Sequence, residues 1–141
     1  MAGLHIRRAD EEDWEDILAA DAECFPHDYR PELPGAAWWV AETDEGELAG
    51  FAGARPGDST PEGVYLCRVG VLPAFRGQRL QRRLVRVREA WARRHGYTSC
   101  VTDTYWNPAS ANTLISCGYK MWTPKDPWSY GDACYWRRDL R

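Results

Sequence analysis

Lysine is almost missing from this 141-residue chain, and its five cysteines, Cys24, Cys67, Cys100, Cys117 and Cys134, stand singly, with no Cys-x-x-Cys pair and no histidine companion. Scattered cysteines, three of them in strand-like apolar contexts, read as reduced core thiols, so neither a disulfide scaffold nor a metal centre is expected. No apolar run reaches the ~18 residues of a membrane span. The start, Met1-Ala2-Gly3-Leu4-His5-Ile6-Arg7-Arg8, leads into acids rather than an apolar signal core. A soluble cytoplasmic protein with no membrane partner is therefore the expectation. No segment is rich enough in Gly, Pro or Ser to act as a linker and no repeat recurs, so one domain over residues 1–141 is expected.

What is present suits a packed enzyme-sized domain: 44% of the residues are hydrophobic and eight are Trp, enough to build one core without staples. The formal net charge is -3, yet from Arg68 to Arg94 nine arginines face one acid, Glu89. A basic helix is one way to bind nucleic acid, and that class stays as a rival. The acidic total, the shortage of lysine and the lack of a nucleic-acid motif disfavour it. Arg86, Arg93 and Arg94 are assigned to a solvated face.

Apolar periodicity and turn residues predict a strand over Leu4 to Arg8, then a helix over Glu11 to Cys24 capped by Asp10, with Trp14, Ile17 and Leu18 as its buried stripe. Strands follow over Trp38 to Glu42 and Glu47 to Ala54, joined by Asp44-Glu45-Gly46, and a long strand over Val64 to Val71. Leu80, Leu84, Val87 and Trp91 then mark one face of a helix. Ser99 to Thr104, a helix from Pro108 to Cys117, Tyr119 to Trp122 and a strand near Ala133 to Asp139 complete the chain. Strands on both sides of helices indicate an α/β (α+β) architecture with a mixed sheet covered by helices.

The most informative run is Val69-Gly70-Val71-Leu72-Pro73-Ala74-Phe75-Arg76-Gly77-Gln78-Arg79-Leu80-Gln81, where a β-branched strand turns through Pro73 and Gly77 into the helix. Arg79, Arg82 and Arg83 crowd a helix start that already carries about half a positive charge. First-turn N–H groups, a glycine permitting close approach and flanking guanidinium groups together suit a phosphate or diphosphate. At these residues the chain resembles the GCN5-related N-acetyltransferase (GNAT) superfamily, whose acetyl-CoA loop reads Arg/Gln-x-x-Gly-x-Gly/Ala after a Val-x-Val-x-Pro lead-in. Val69, Val71, Pro73, Arg76, Gly77 and Gln78 fit. Arg79 stands where the family has its second glycine, and Gln81 where it has Gly or Ala.

A second segment, Thr102 to Tyr119, resembles the family's later motif of a strand, an Asn-x-x-Ser/Ala helix and a Gly-Phe/Tyr return. Physically, Asn107 caps a helix, Pro108 opens it and Gly118 ends it. The resemblance implies a mostly antiparallel acyl-CoA N-acyltransferase fold, acetyl-CoA as acetyl donor, direct transfer to an amine, and a pantetheine-contacting role for Asn107 and Ser110. The family's thiolate-protonating tyrosine falls at Leu114, which has no proton to give. Tyr105, just before the Asn107 helix, is the replacement candidate, with wall packing as the alternative.

Acyl transfer also needs oxyanion donors and a route for the amine's proton. The backbone amides around Val69 and Gly70 are the expected donors, with a splay or bulge at Gly70; the alternative is a regular strand in which glycine relieves crowding. Asp103 is the candidate base, the alternative being a structural acid that pairs Arg68 or caps a turn. The acceptor is expected between Phe25 to Glu32 and Pro124 to Asp132, whose mixture of acids and aromatic rings suits a cationic amine, either a small molecule or a peptide or protein amine. A homodimer is left open, as is a non-catalytic acyl-CoA-binding module.

Overall fold

The computed structural model describes residues 3–57 and 62–140, so Met1 and Ala2 of the N-terminal reading lie outside the described residues. In chain order the elements are β1 (Leu4–Arg8), α1 (Trp14–Cys24), β2 (Ala37–Thr43), β3 (Leu48–Pro56), β4 (Gly63–Tyr65), β5 (Val69–Val71), α2 (Leu80–Arg94), β6 (Ser99–Thr104), α3 (Pro108–Ser116), β7 (Lys120–Met121) and β8 (Cys134–Asp139). Among the described residues every strand pairing is antiparallel except β4 with β6, giving the expected mixed, mostly antiparallel sheet with flanking helices. The chain divides into two compact units, Met1–Ala54 with Cys67–Leu84 and Arg55–Leu66 with Val85–Arg141.

In the first unit, β1, β2, β3 and β5 pair in turn. Asp10 caps the helical segment: its Oδ1 accepts from Glu12 N–H at 3.0 Å, while its own N–H donates to Asp13 Oδ2 at 2.9 Å. The segment opens as a 3₁₀ turn over Glu11–Asp13 before α1 begins, a tightening common at helix ends. Ile17 and Ala20 of α1 pack with Leu33, Trp38, Val40 and Phe51. The Trp38 indole N–H donates to Leu33 O at 2.9 Å, which satisfies its one polar atom inside that core.

The expected strand from Val64 to Val71 is interrupted at residues 66–68. Gly53 of β3 accepts from Cys67 N–H at 3.2 Å and donates to Arg68 O at 2.8 Å, so two residues oppose one. This bulge, not Gly70, breaks the strand. Gly70 itself pairs in regular register with Phe51, and a Cβ there would lie 2.5 Å from a Phe51 ring carbon. Glycine at that place relieves crowding.

In the second unit, β6 lies parallel to β4 and antiparallel to β8 through six residue pairs from Ser99↔Asp139 to Thr104↔Cys134. Glu89 of α2 is fully buried; its Oε1 accepts from Arg86 and Arg138 at 2.8 Å each, and its Oε2 from the Tyr119 hydroxyl at 2.8 Å. Arg86 also donates to Cys117 O at 3.2 Å, so it anchors a buried carboxylate rather than lying on a purely solvated face. Arg88 is buried too, which interrupts the arginine stripe of α2. Burial pushes the Tyr119 phenol up, and the Cys100 thiol up to about 12, making Cys100 an inert core thiol.

Candidate active site

On the first unit, the hydrogen-bond parity of β5 decides which amides are available. Leu72 N–H donates to Ala49 O and Gly53 N–H to Arg68 O, so alternation along the antiparallel pair turns the N–H of Gly70 toward β3 and those of Val69 and Val71 away from it. Val71 O, on the same outward side, accepts from Arg76 Nε at 2.9 Å and from the Cys24 thiol at 3.7 Å. Burial pushes that thiol up against the opposing pull of Arg76. Among the described residues β5 has only β3 as a strand partner, so its outer edge offers an amide array.

Beyond β5 the chain turns through Gly77, at φ +82°, and Arg79, at φ +61°, before Leu80 opens α2. Arg79 O accepts from Arg83 N–H at 3.2 Å, which makes Arg79 the helix cap. The arginine thus adopts the left-handed backbone that glycine takes without strain, at a cost of about 1–2 kcal/mol. Arg76, Gly77, Gln78 and Arg79 are exposed, whereas Leu80 is buried beneath the turn and Gln81 is partly buried. Arg83 has a different employment: Nη2 donates to Leu4 O at 2.9 Å.

Arg68 organises the Phe25 to Glu32 segment. Its Nε lies 2.8 Å from Asp21 Oδ1, Nη1 donates to Asp28 Oδ2 at 3.0 Å and Nη2 to Tyr29 O at 2.6 Å, while the guanidinium carbon sits 4.5 Å from the Phe25 ring centroid. Burial pushes Asp21 up, with Arg68 acting against it. Among the described residues the partners of Arg68 are thus Asp21, Asp28, Tyr29 and the Phe25 ring.

On the second unit, Asp103 of β6 accepts from the Tyr65 hydroxyl at 3.0 Å and the Trp128 indole N–H at 2.9 Å, both at Oδ1. Tyr105 is 44% exposed, its ring 4.9 Å from that of Tyr130 and 6.1 Å from that of Trp106. Asn107 caps α3 by accepting from Ser110 N–H at 3.1 Å, with Pro108 in the first turn. Leu114 is buried, and the thiolate-protonating position of the resemblance belongs here to the core. Sequence reading missed the Tyr65–Asp103–Trp128 arrangement, whose only signal was an aromatic in the Pro124 to Asp132 segment.

The Acetyltransferase (GNAT) family model matches residues 5–119, through both the Arg76–Gln81 turn and the Asn107 helix. The chain belongs to the GNAT acetyltransferase family. N-acetyltransferase 8 of Rattus norvegicus is 35% identical over 109 residues, 75% of this chain and 47% of that protein, so this GNAT chain spans about half the length of that curated relative. An acetyltransferase of the GNAT family from Staphylococcus aureus Mu50 superposes with a TM-score of 0.81 at 12% identity, covering 99% of this chain and all of that one. The Salmonella typhimurium protein yncA, solved with its cofactor acetyl-CoA, gives 0.78 at 24% identity over 98% and 94% of the two chains. Among the described residues no helix is long and apolar enough to cross a membrane, and no group of three or more His, Cys, Asp or Glu is placed to hold a metal ion.

Proposed function

We propose that this chain transfers an acetyl group from acetyl-CoA directly to an amine. The single observation that carries the reading is the backbone of Arg79: at φ +61° it adopts the left-handed conformation that glycine takes without strain, at the position where the family's motif has glycine, immediately before the first-turn amides of α2. A diphosphate would meet those amides and the exposed guanidinium of Arg79, which suits an anion at a helix start. Asn107 and Ser110 are assigned to the pantetheine arm on resemblance alone.

Acetyl-CoA supplies a thioester whose carbonyl carbon is open to attack. The outward N–H groups of Val69 and Val71 are the donors for charge developing on the carbonyl oxygen, the Gly70 amide being turned toward β3. Asp103 is the candidate to take the amine's proton as the C–N bond forms. As the C–S bond breaks, the Tyr105 hydroxyl is the candidate to give a proton to the leaving sulfur.

Incubation of the purified chain with acetyl-CoA and a panel of primary amines, read as free thiol released, tests the reading. Amine-dependent thiol release is expected. Saturable CoA binding with no turnover on any amine would leave an acyl-CoA-binding module instead.

A further inference from the structure

Among the described residues five carboxylates are partly or wholly withdrawn from solvent: Asp13, Asp21, Glu42, Glu89 and Asp103. Four face guanidinium groups. Arg7 lies 2.7 Å from Asp13 and 2.8 Å from Glu42, Arg68 lies 2.8 Å from Asp21, and Arg86 and Arg138 each lie 2.8 Å from Glu89. Asp103 is the exception: its donors, the Tyr65 hydroxyl and the Trp128 indole, are neutral and both use Oδ1, leaving Oδ2 with no protein partner among the described residues. Neutral donors orient a carboxylate without supplying the countercharge that a partly desolvated anion calls for.

The surroundings of Asp103 are aromatic. Trp128 meets Tyr65 edge-on at 5.8 Å and Tyr135 edge-on at 4.7 Å, and Trp122 lies 6.1 Å from Trp128. The same rings already receive cations: Arg55 sits 5.2 Å over Tyr65 and Arg137 5.6 Å over Trp122, each stacked on a ring rather than paired with Asp103. We infer that Asp103, held by Tyr65 and Trp128, is the seat on which the acceptor's amine arrives in its protonated form, an organic ammonium ion on an apolar body; the nitrogen gives that proton to solvent before it attacks, which leaves the carboxylate free to act as the base. Oδ2 takes the ammonium N–H and the rings take the apolar part. That this ligand is the acceptor rests on the acetyltransferase reading; the seat itself rests on the unpaired carboxylate and its rings.

The indole N–H of Trp128 reports on the seat directly. In ¹H–¹⁵N spectra of the full chain its resonance is assigned by its loss in Trp128→Phe, and the protein is titrated with phenethylammonium and with the neutral isostere 2-phenylethanol. The ammonium is expected to move this resonance saturably, with the alcohol at least about tenfold weaker, the scale of one charge-assisted contact. Asp103→Asn keeps an oxygen for both donors and should weaken the ammonium by about tenfold while the rest of the spectrum stays folded. A resonance that ignores the ammonium, an alcohol that binds equally well, or an Asp103→Asn variant with parental affinity would overturn the seat. CoA added to parallel samples separates the two readings: CoA binding without ammonium binding sinks the seat alone, whereas ammonium binding without CoA binding leaves the seat and removes the acetyltransferase.

Discussion

Arg79 shows how far a single residue can be read from sequence and where the reading stops. The motif marks it as a departure from glycine; only the backbone shows that the departure is chemical and not conformational, since φ is +61°. Replacement by glycine removes a left-handed strain of about 1–2 kcal/mol, partly offset by the extra unfolded-state freedom of glycine, about 0.5–1 kcal/mol. Arg79→Gly should therefore melt at or above the parental temperature, and if the guanidinium meets a phosphate, CoA should bind about 1 kcal/mol more weakly. Tighter CoA binding in calorimetry would mark the side chain as an obstruction. Tyr105→Phe keeps the ring against Tyr130 and removes only the hydroxyl. Turnover should fall by about 10²–10⁴-fold with CoA affinity unchanged if the hydroxyl is the general acid. Turnover within a few-fold of the parent would return Tyr105 to the pocket wall.

At the scale of elements, apolar periodicity located α1 and α2, and cap and turn residues bounded α3 and most strands, to within a few residues. The break at residues 66–68 was not legible, since a bulge is set by the opposing strand: Gly53 accommodates both Cys67 and Arg68, and the local sequence is as β-prone as a straight strand. The ionic partners were equally hidden. Arg68 meets Asp21 from 47 residues away and Glu89 meets Arg138 from 49, separations at which no pattern in a single sequence carries information. Arg68→Ala should cost about 3–5 kcal/mol by stranding buried Asp21. The loss has a defined pH sense. Without Arg68 the Asp21 carboxyl is raised further, so the deficit is present above its folded value and shrinks as pH falls and the group protonates; thermal unfolding of parent and variant from pH 7 to pH 5 reads it. An equal deficit at both pH values would show that lost packing, not stranded charge, is responsible. Arg7 and Asp13 run the other way: the guanidinium holds Asp13 below the usual carboxylate range, and its stabilisation, present above the unfolded value, is lost as pH falls through the folded one.

At the scale of the whole molecule, two motifs in the right order were enough to place the family, and the family model spans both. The acceptor was legible only as a tendency, and the Tyr65–Asp103–Trp128 partnership proposed for it is one that no motif encodes. The central claim is that the Arg76–Gln81 turn holds the diphosphate of CoA. A calorimetric titration of CoA into the parent, Gly77→Asn and Gly77→Asp tests it most directly. A Cβ at Gly77 meets nothing within 4 Å, and Asn and Asp are the side chains that best tolerate its φ of +82°, so both variants should fold. The expected result is CoA binding by Gly77→Asn and binding at least about tenfold weaker by Gly77→Asp, because only the latter sets a carboxylate against the phosphates. Equal affinity in the two folded variants would contradict the assignment.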